Sequence, residues 1–202
     1  MAKTETLEQL RTLYKAPSER AQRKQLRELD RHCRRFVALS PFVVLASSGP
    51  DGADATPRGG PPGFVHVPDA RTLLLPDWPG NNRLDALENI VQNPAVGLLF
   101  LIPGVDETLR VNGSAQIRTD AALREPFGTD GRLPTTVLVV SVQEAFLHCA
   151  KALLRSNLWA EDAKPGRGAL PTLGEMLGDQ LGLTEQVEPQ EVMVRRYRDE
   201  LY

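Results

Sequence analysis

Apolar positions along this chain follow two spacings. Over residues 1–40 they recur every three or four positions: Leu7, Leu10 and Leu13 with Tyr14 and then, beyond the break at Pro17-Ser18-Glu19, Leu26, Leu29, Cys33, Phe36 and Val37. That spacing predicts two amphipathic helices. From Ser40 the spacing shortens towards two. Phe42 to Ser48 reads as a strand, Gly49-Pro-Asp-Gly52 as a hairpin turn, and Ala53 to Pro57 as the returning strand. Phe64 to Val67 and Thr72 to Leu75, on either side of Pro68-Asp69, predict a second hairpin. Asn82 to Gln92 returns to helical spacing, with Leu84, Leu87, Ile90 and Val91 on one face and Asn93-Pro94 closing it.

Ala95 to Ile102 is apolar almost throughout, as in a strand buried on both faces, and Thr108 to Thr119 alternates imperfectly, with Gly113 marking a bulge. A short helix over Asp120 to Phe127, a long strand over Thr135 to Glu144 and a helical segment over Ala145 to Leu154 follow. The remainder is rich in Gly and Pro, with a helix at Leu173 to Leu181 and Val192-Met-Val194 as an edge strand or an arm over a neighbour. Hairpin-linked strands with few helices predict a mainly β fold with flanking helices, a small closed or partly closed antiparallel barrel. The expected organisation is one domain: N-terminal helices over 1–40, a barrel over 42–148, and a helix with a C-terminal arm over 149–202.

Composition narrows the function classes. With 24 Lys and Arg against 26 Asp and Glu, the net charge of -2 offers no global attraction to nucleic acid or an anionic membrane. Arg20, Arg23, Lys24, Arg27, Arg31, Arg34 and Arg35 crowd the second helix, but Glu19, Glu28 and Asp30 interleave with them, which suits a solvated or subunit-facing surface. Cys33 and Cys149 lack the spacing of a zinc or redox pair, and His32, His66 and His148 are scattered, so no metal site is expected. No apolar leader and no membrane-length segment occurs, and a cytoplasmic protein is expected. Phosphate loops of the Gly-x-x-x-x-Gly-Lys type, dinucleotide fingerprints and Gly-x-Ser-x-Gly elbows are absent.

What remains is Ala55 to Arg83, two loops rich in Gly and Pro, each carrying one arginine. Arginine grips a phosphate with a planar, permanently charged fork, and prolines hold a loop in shape beforehand. Asn81-Asn82-Arg83 at a helix start adds backbone N–H groups that favour an anion. Each loop also has a plain reading. Pro57 to Gly63 could be a connector, and Pro79-Gly80-Asn81 could merely cap a helix while Arg83 pairs with Asp85 or Glu88.

Four blocks of sequence are similar to one family: Thr56-Pro-Arg-Gly-Gly-Pro-Pro-Gly-Phe64, Leu75-Pro-Asp-Trp-Pro-Gly-Asn-Asn-Arg83 with Asp85 to Ile90, Gly97 to Gly104 and Glu107 to Gly113, with His148 to Trp159 extending the match. Together they resemble the pyridoxamine 5'-phosphate oxidase-related FMN-binding proteins, in this order, over roughly Phe42 to Trp159. The resemblance implies a split β-barrel of antiparallel Greek-key type and a homodimer with two FMN sites at the subunit interface. By position it places Thr56 and Arg58 along the flavin, Pro76 and Asp77 near its ring, and Asn81, Asn82 and Arg83 on its phosphate. Lys151, Arg155, Ser156 and Trp159 of the second subunit would close the site, although the same segment could simply dock a helix on the barrel. The end, Glu191 to Tyr202, shows no counterpart of the basic segment that binds substrate phosphate in the true oxidases. The implied activity is that of an FMN-dependent oxidoreductase acting on a small molecule. The alternatives are a non-catalytic flavin sensor or store, or the same barrel binding haem or a deazaflavin.

Overall fold

The computed structural model describes residues 3–183 and 188–201. Helices α1 (Leu7–Leu13), α2 (Glu19–Arg23) and α3 (Arg31–Leu39) precede strands β1 (Phe42–Gly49), β2 (Gly52–Gly59), β3 (His66–Asp69) and β4 (Thr72–Asp77). Helix α4 (Asp85–Gln92), strands β5 (Ala95–Leu101) and β6 (Thr108–Arg118), helix α5 (Ala121–Arg124) and strand β7 (Thr136–His148) follow. Helices α6 (Lys151–Ser156), α7 (Leu173–Leu181) and α8 (Gln190–Glu200) complete the described chain.

The strands form one seven-stranded antiparallel sheet in the order β2-β1-β5-β6-β7-β4-β3. No ladder joins its two edges, so it is not a closed barrel. It is nevertheless strongly curled. Five inter-strand spacings separate β2 from β4, about 24 Å in a flat sheet. Yet Nε of Arg58, on β2, stands 3.2 Å from Oδ1 of Asp77 at the end of β4. The concave face holds the core, where Val43, Leu45, Leu73, Leu75, Leu98, Phe100, Leu109 and Val111 are buried against Cys33, Phe36 and Val37 of α3 and Ile90 of α4.

The long second helix expected from residue 18 to Val37 is broken in two. Ladder pairing of β4 with β7 stops at Ser141, which leaves the next stretch of β7 in need of backbone partners. Leu26 supplies two: its N–H donates to Ala145 O and its O accepts from the Ala145 N–H, both at 2.9 Å. Residues between α2 and α3 therefore leave the helix, with Leu26 as a bridge residue and bends at Arg27 and Glu28, and Asp30 restarts the helix by accepting the Cys33 N–H at 2.8 Å. For the same reason Ala145 to His148, expected in a helix, belongs to β7, and the helix begins only at Lys151. Val192 to Val194, expected as an edge strand or arm, lies within α8.

The bulge expected at Gly113 is present, but the extra residue sits on the facing strand. Asn112 faces Glu144 and Gly113 faces Val142, so Gln143 is the residue left over. On β7 the buried positions shift accordingly, from Val140 and Val142 to Ala145. Gly113 matters because the backbones approach closely there: a Cβ at this position would lie 2.2 Å from Ser141 O.

Candidate functional site

Curling of the sheet brings three segments around one cavity of about 400 Å³: Thr56 to Gly59 of β2, the end of β4 at Pro76-Asp77, and the chain from Trp78 through Arg83 into the first turn of α4. Seven of the sequence-predicted residues meet here, namely Thr56, Arg58, Pro76, Asp77, Asn81, Asn82 and Arg83. Thr56 and Arg58 stand on a strand rather than in a loop. That makes their placement rigid, because β2 is fixed to β1 along its whole length.

Arg58 is held from two sides. Its Nε donates to Asp77 Oδ1 at 3.2 Å, and one terminal nitrogen donates to Thr56 Oγ1 and Pro57 O, both at 3.0 Å. The other terminal nitrogen makes no hydrogen bond among the described residues. Asp77 is the more enclosed partner, its side chain 13% exposed against 25% for Arg58. Burial raises the Asp77 carboxyl above its ordinary range, against the pull of the neighbouring guanidinium.

The Asn81–Leu84 segment differs from the expected helix start. Asn82 and Leu84 both take left-handed backbone conformations, at φ 59° each, and α4 begins only at Asp85. Leu84 is the capping residue and its side chain caps nothing, so the first turn of α4, whose Asp85, Ala86 and Leu87 line the cavity, begins without a side-chain acceptor for its first N–H groups. A left-handed leucine costs on the order of 1 kcal/mol, and strain of this kind gathers where backbone groups are held for a ligand. Asn81 Oδ1 accepts the Arg83 N–H at 3.1 Å, which stiffens the turn. Arg83 itself pairs with Asp85, Nε to Oδ2 at 2.9 Å, and is largely exposed. The plain expectation for Arg83 is thus also present: an anion entering the cavity competes with Asp85 for this guanidinium.

The donor set fits a phosphate ester with a polar, planar body. It comprises an uncapped helix start, two guanidinium groups, two asparagine amides and a threonine hydroxyl, beside the apolar surfaces of Phe64 and Trp78. Lys151, Arg155, Ser156 and Trp159 do not line this cavity. Strand β7 starts opposite Asp77 and runs through 13 residues before α6, roughly 40 Å along the strand. Trp159 Nε1 donates to Val105 O at 2.9 Å at that far end. The histidines considered for haem are also apart. His66 flanks the site, while His148, opposite Thr108, ends β7.

Sequence reasoning missed the part played by Phe127. It comes from the turn after α5 and stacks on His66, beside the site, with ring centroids 4.1 Å apart. Nothing in the local sequence around Phe127 signals this long-range contact. Cys33 is buried, and burial pushes its thiol up to about 12, which makes it inert packing. Among the described residues no cluster of three or more His, Cys, Asp and Glu is placed for a metal ion, and no helix is long and apolar enough to cross a membrane.

A family model described as pyridoxamine 5'-phosphate oxidase matches residues 29–149, more than half of the chain. The chain belongs to the pyridoxamine 5'-phosphate oxidase family. The match covers β1 to β7 and every cavity-lining residue, and it ends just before α6. Curated proteins yield no match. Similar solved structures include HupZ of Group A Streptococcus, at 15% identity over 59% of this chain and 93% of that one, with a TM-score of 0.49. They also include a protein described as a putative pyridoxamine 5'-phosphate oxidase from Lactobacillus delbrueckii, at 23% identity over 61% and 98%, with a TM-score of 0.44. An FMN-binding protein from Syntrophomonas wolfei is similar at 10% identity over 57% and 83%, with a TM-score of 0.45.

Proposed function

We propose that the protein is an FMN-dependent oxidoreductase of the pyridoxamine 5'-phosphate oxidase-related type, with FMN in the cavity between β2, the end of β4 and the start of α4. The observation that carries this reading is the convergence of Arg58, Arg83 and the uncapped start of α4 on one cavity. Arg83, Asn81, Asn82 and the first N–H groups of α4 would hold the phosphate, and Arg58, fixed by Asp77, would present its remaining donor edge to the flavin body. When bound, the flavin supplies the electron or hydride transfer, so the protein needs no nucleophile or triad of its own. Its residues bind, orient and shield.

The position of α6 supports a site shared between two subunits. With Lys151, Arg155, Ser156 and Trp159 at the far end of β7, these residues would reach a cavity only on a second copy, as a split-barrel homodimer requires.

Flavin titration with fluorescence detection tests the assignment. Purified protein should take up FMN stoichiometrically. Arg83→Ala weakens FMN by about tenfold and riboflavin by less than twofold, because riboflavin lacks the phosphate. Asp85→Asn, which frees Arg83 from its partner, tightens FMN and leaves riboflavin unchanged. Equal losses of both flavins on Arg83→Ala would remove the phosphate role. Bleaching of bound flavin by NADH or NADPH and its reoxidation by an acceptor separate an enzyme from a flavin store or sensor. A stable monomer that binds FMN tightly would end the shared-site reading.

A further inference from the structure

Beside the proposed cofactor cavity lies a second one of about 230 Å³. The two share Gly59, Phe64, Pro76 and Trp78 as a common wall. Their chemistry is opposite. The first carries two arginines, whereas the second, among the described residues, is lined by no Asp, Glu, Lys or Arg. We propose that this second cavity binds an uncharged, planar molecule of one or two rings, the substrate or redox partner of the FMN enzyme proposed above, and the assignment rests on that reading.

Shape and composition both point this way. Its walls are aromatic rings and prolines, with His66 stacked on Phe127 at 4.1 Å and an interplanar angle of 25°. Flat walls favour a flat ligand, which gains offset stacking beyond the area it buries. The wall from β2 to β3 is set in advance. Pro61 O accepts the Phe64 N–H at 2.9 Å across a turn with Gly63 at φ 86°, a conformation open to glycine and strained for other residues. Gly60 fits under the Phe64 ring, since a Cβ there would lie 2.7 Å from Phe64 Cβ. A cavity of about 150 Å³ accepts benzene, so this one has room for a fused pair of rings.

Charge disfavours the phosphorylated alternative. An anion entering here gives up its hydration with no cation to replace it. Burial lowers the pKa of His66, which keeps the imidazole neutral at pH 7. The neutral ring and the Thr129 hydroxyl supply the polar atoms that would orient a carbonyl or hydroxyl on the ligand.

Isothermal titration calorimetry on FMN-saturated protein with 1-naphthol and 1-naphthyl phosphate tests the proposal, because these probes differ only in the charged group. The expected result is saturable binding of 1-naphthol and binding of 1-naphthyl phosphate weaker by about tenfold or more. Phe127→Ala and the milder Phe127→Leu weaken 1-naphthol by about tenfold and about threefold and leave FMN affinity within about twofold. The proposal is overturned by equal or tighter binding of the phosphate, by no binding of 1-naphthol, or by 1-naphthol affinity that neither folded variant changes. Failure of FMN uptake is a separate outcome that refutes the cofactor assignment. In that case 1-naphthol titration of the flavin-free protein and its Phe127 variants still decides the second cavity.

Discussion

Replacing Arg58 by Met keeps the length of the side chain, removes its charge, and leaves the Asp77 carboxylate enclosed without its cation. The wild-type pair is a charge-assisted hydrogen bond at 3.2 Å between side chains 25% and 13% exposed. Such bonds contribute about 1.5–3 kcal/mol, and breaking a fully buried pair costs about 3–5 kcal/mol. Partial exposure of Arg58 places this pair at the lower end, so Arg58→Met should cost about 2 kcal/mol at pH 7. The cost depends on pH with a definite sign. Burial raises the Asp77 pKa in the folded protein, so its ionisation removes stability as pH rises from the unfolded value of 3.8 through the folded pKa. Without Arg58 that pKa rises further and the loss deepens. As pH falls the carboxyl takes up a proton, and the penalty of the variant shrinks to about 1 kcal/mol near pH 4, from lost packing and hydrogen bonds. Urea unfolding of both proteins between pH 4 and pH 7 measures the difference directly. Asp77→Asn serves as control: its loss is smaller because Arg58 reaches water, and it shrinks rather than grows as pH rises, because the variant lacks the carboxyl whose ionisation lowers wild-type stability. A penalty for Arg58→Met that is the same at pH 4 and pH 7, or below about 0.5 kcal/mol at pH 7, would refute the view that this pair fastens β2 to β4.

Three further outcomes follow from the same geometry. Burial lowers the pKa of His66, and burial followed by Arg110 and Lys24 lowers that of His148, so each contributes stability that is complete above pH 6.5 and lost as pH falls through its folded pKa; His66→Gln and His148→Gln should each flatten the stability loss below pH 6.5 in urea titrations. Gly113→Ala should destabilise by about 1–3 kcal/mol or prevent folding, since the added Cβ meets backbone that cannot move aside, whereas Gly97→Ala, whose Cβ would face the Asn112 side chain at 3.3 Å, should cost visibly less in the same unfolding assay. Asp30→Ala removes the cap of α3 and should cost about 1 kcal/mol, read as a lower urea midpoint with an unchanged slope.

Much of the fold was legible because its signals are local. The Gly49–Gly52 turn sets the β1–β2 hairpin, and the strand of Ala95 to Leu101 and the helix of Leu173 to Leu181 stand where apolar spacing and capping residues put them. The misplaced elements share one physical cause: a backbone requirement arising elsewhere in the sheet overrode local preference. Leu26 left its helical register to pair with Ala145, and Ala145 to His148 stayed extended because β6 continues to pair there. Helix α4 starts three residues later than its apolar pattern suggests, since two left-handed residues in Asn81–Leu84 turn the chain around the cavity.

By itself the sequence determined the family, the order of strands along the chain, and the two arginine-bearing segments that meet at the cavity, for all of these reside in residue type and short spacing. Tertiary structure alone decided that the sheet curls far enough to join β2 to the end of β4, that Arg83 pairs with Asp85, and that α6 lies beyond the far end of β7, outside the lining of its own chain's cavity. It also decided that Phe127 meets His66 and thereby builds a neutral aromatic cavity beside the cationic one. Long-range register and sheet curvature set those contacts, and no short stretch of sequence encodes either.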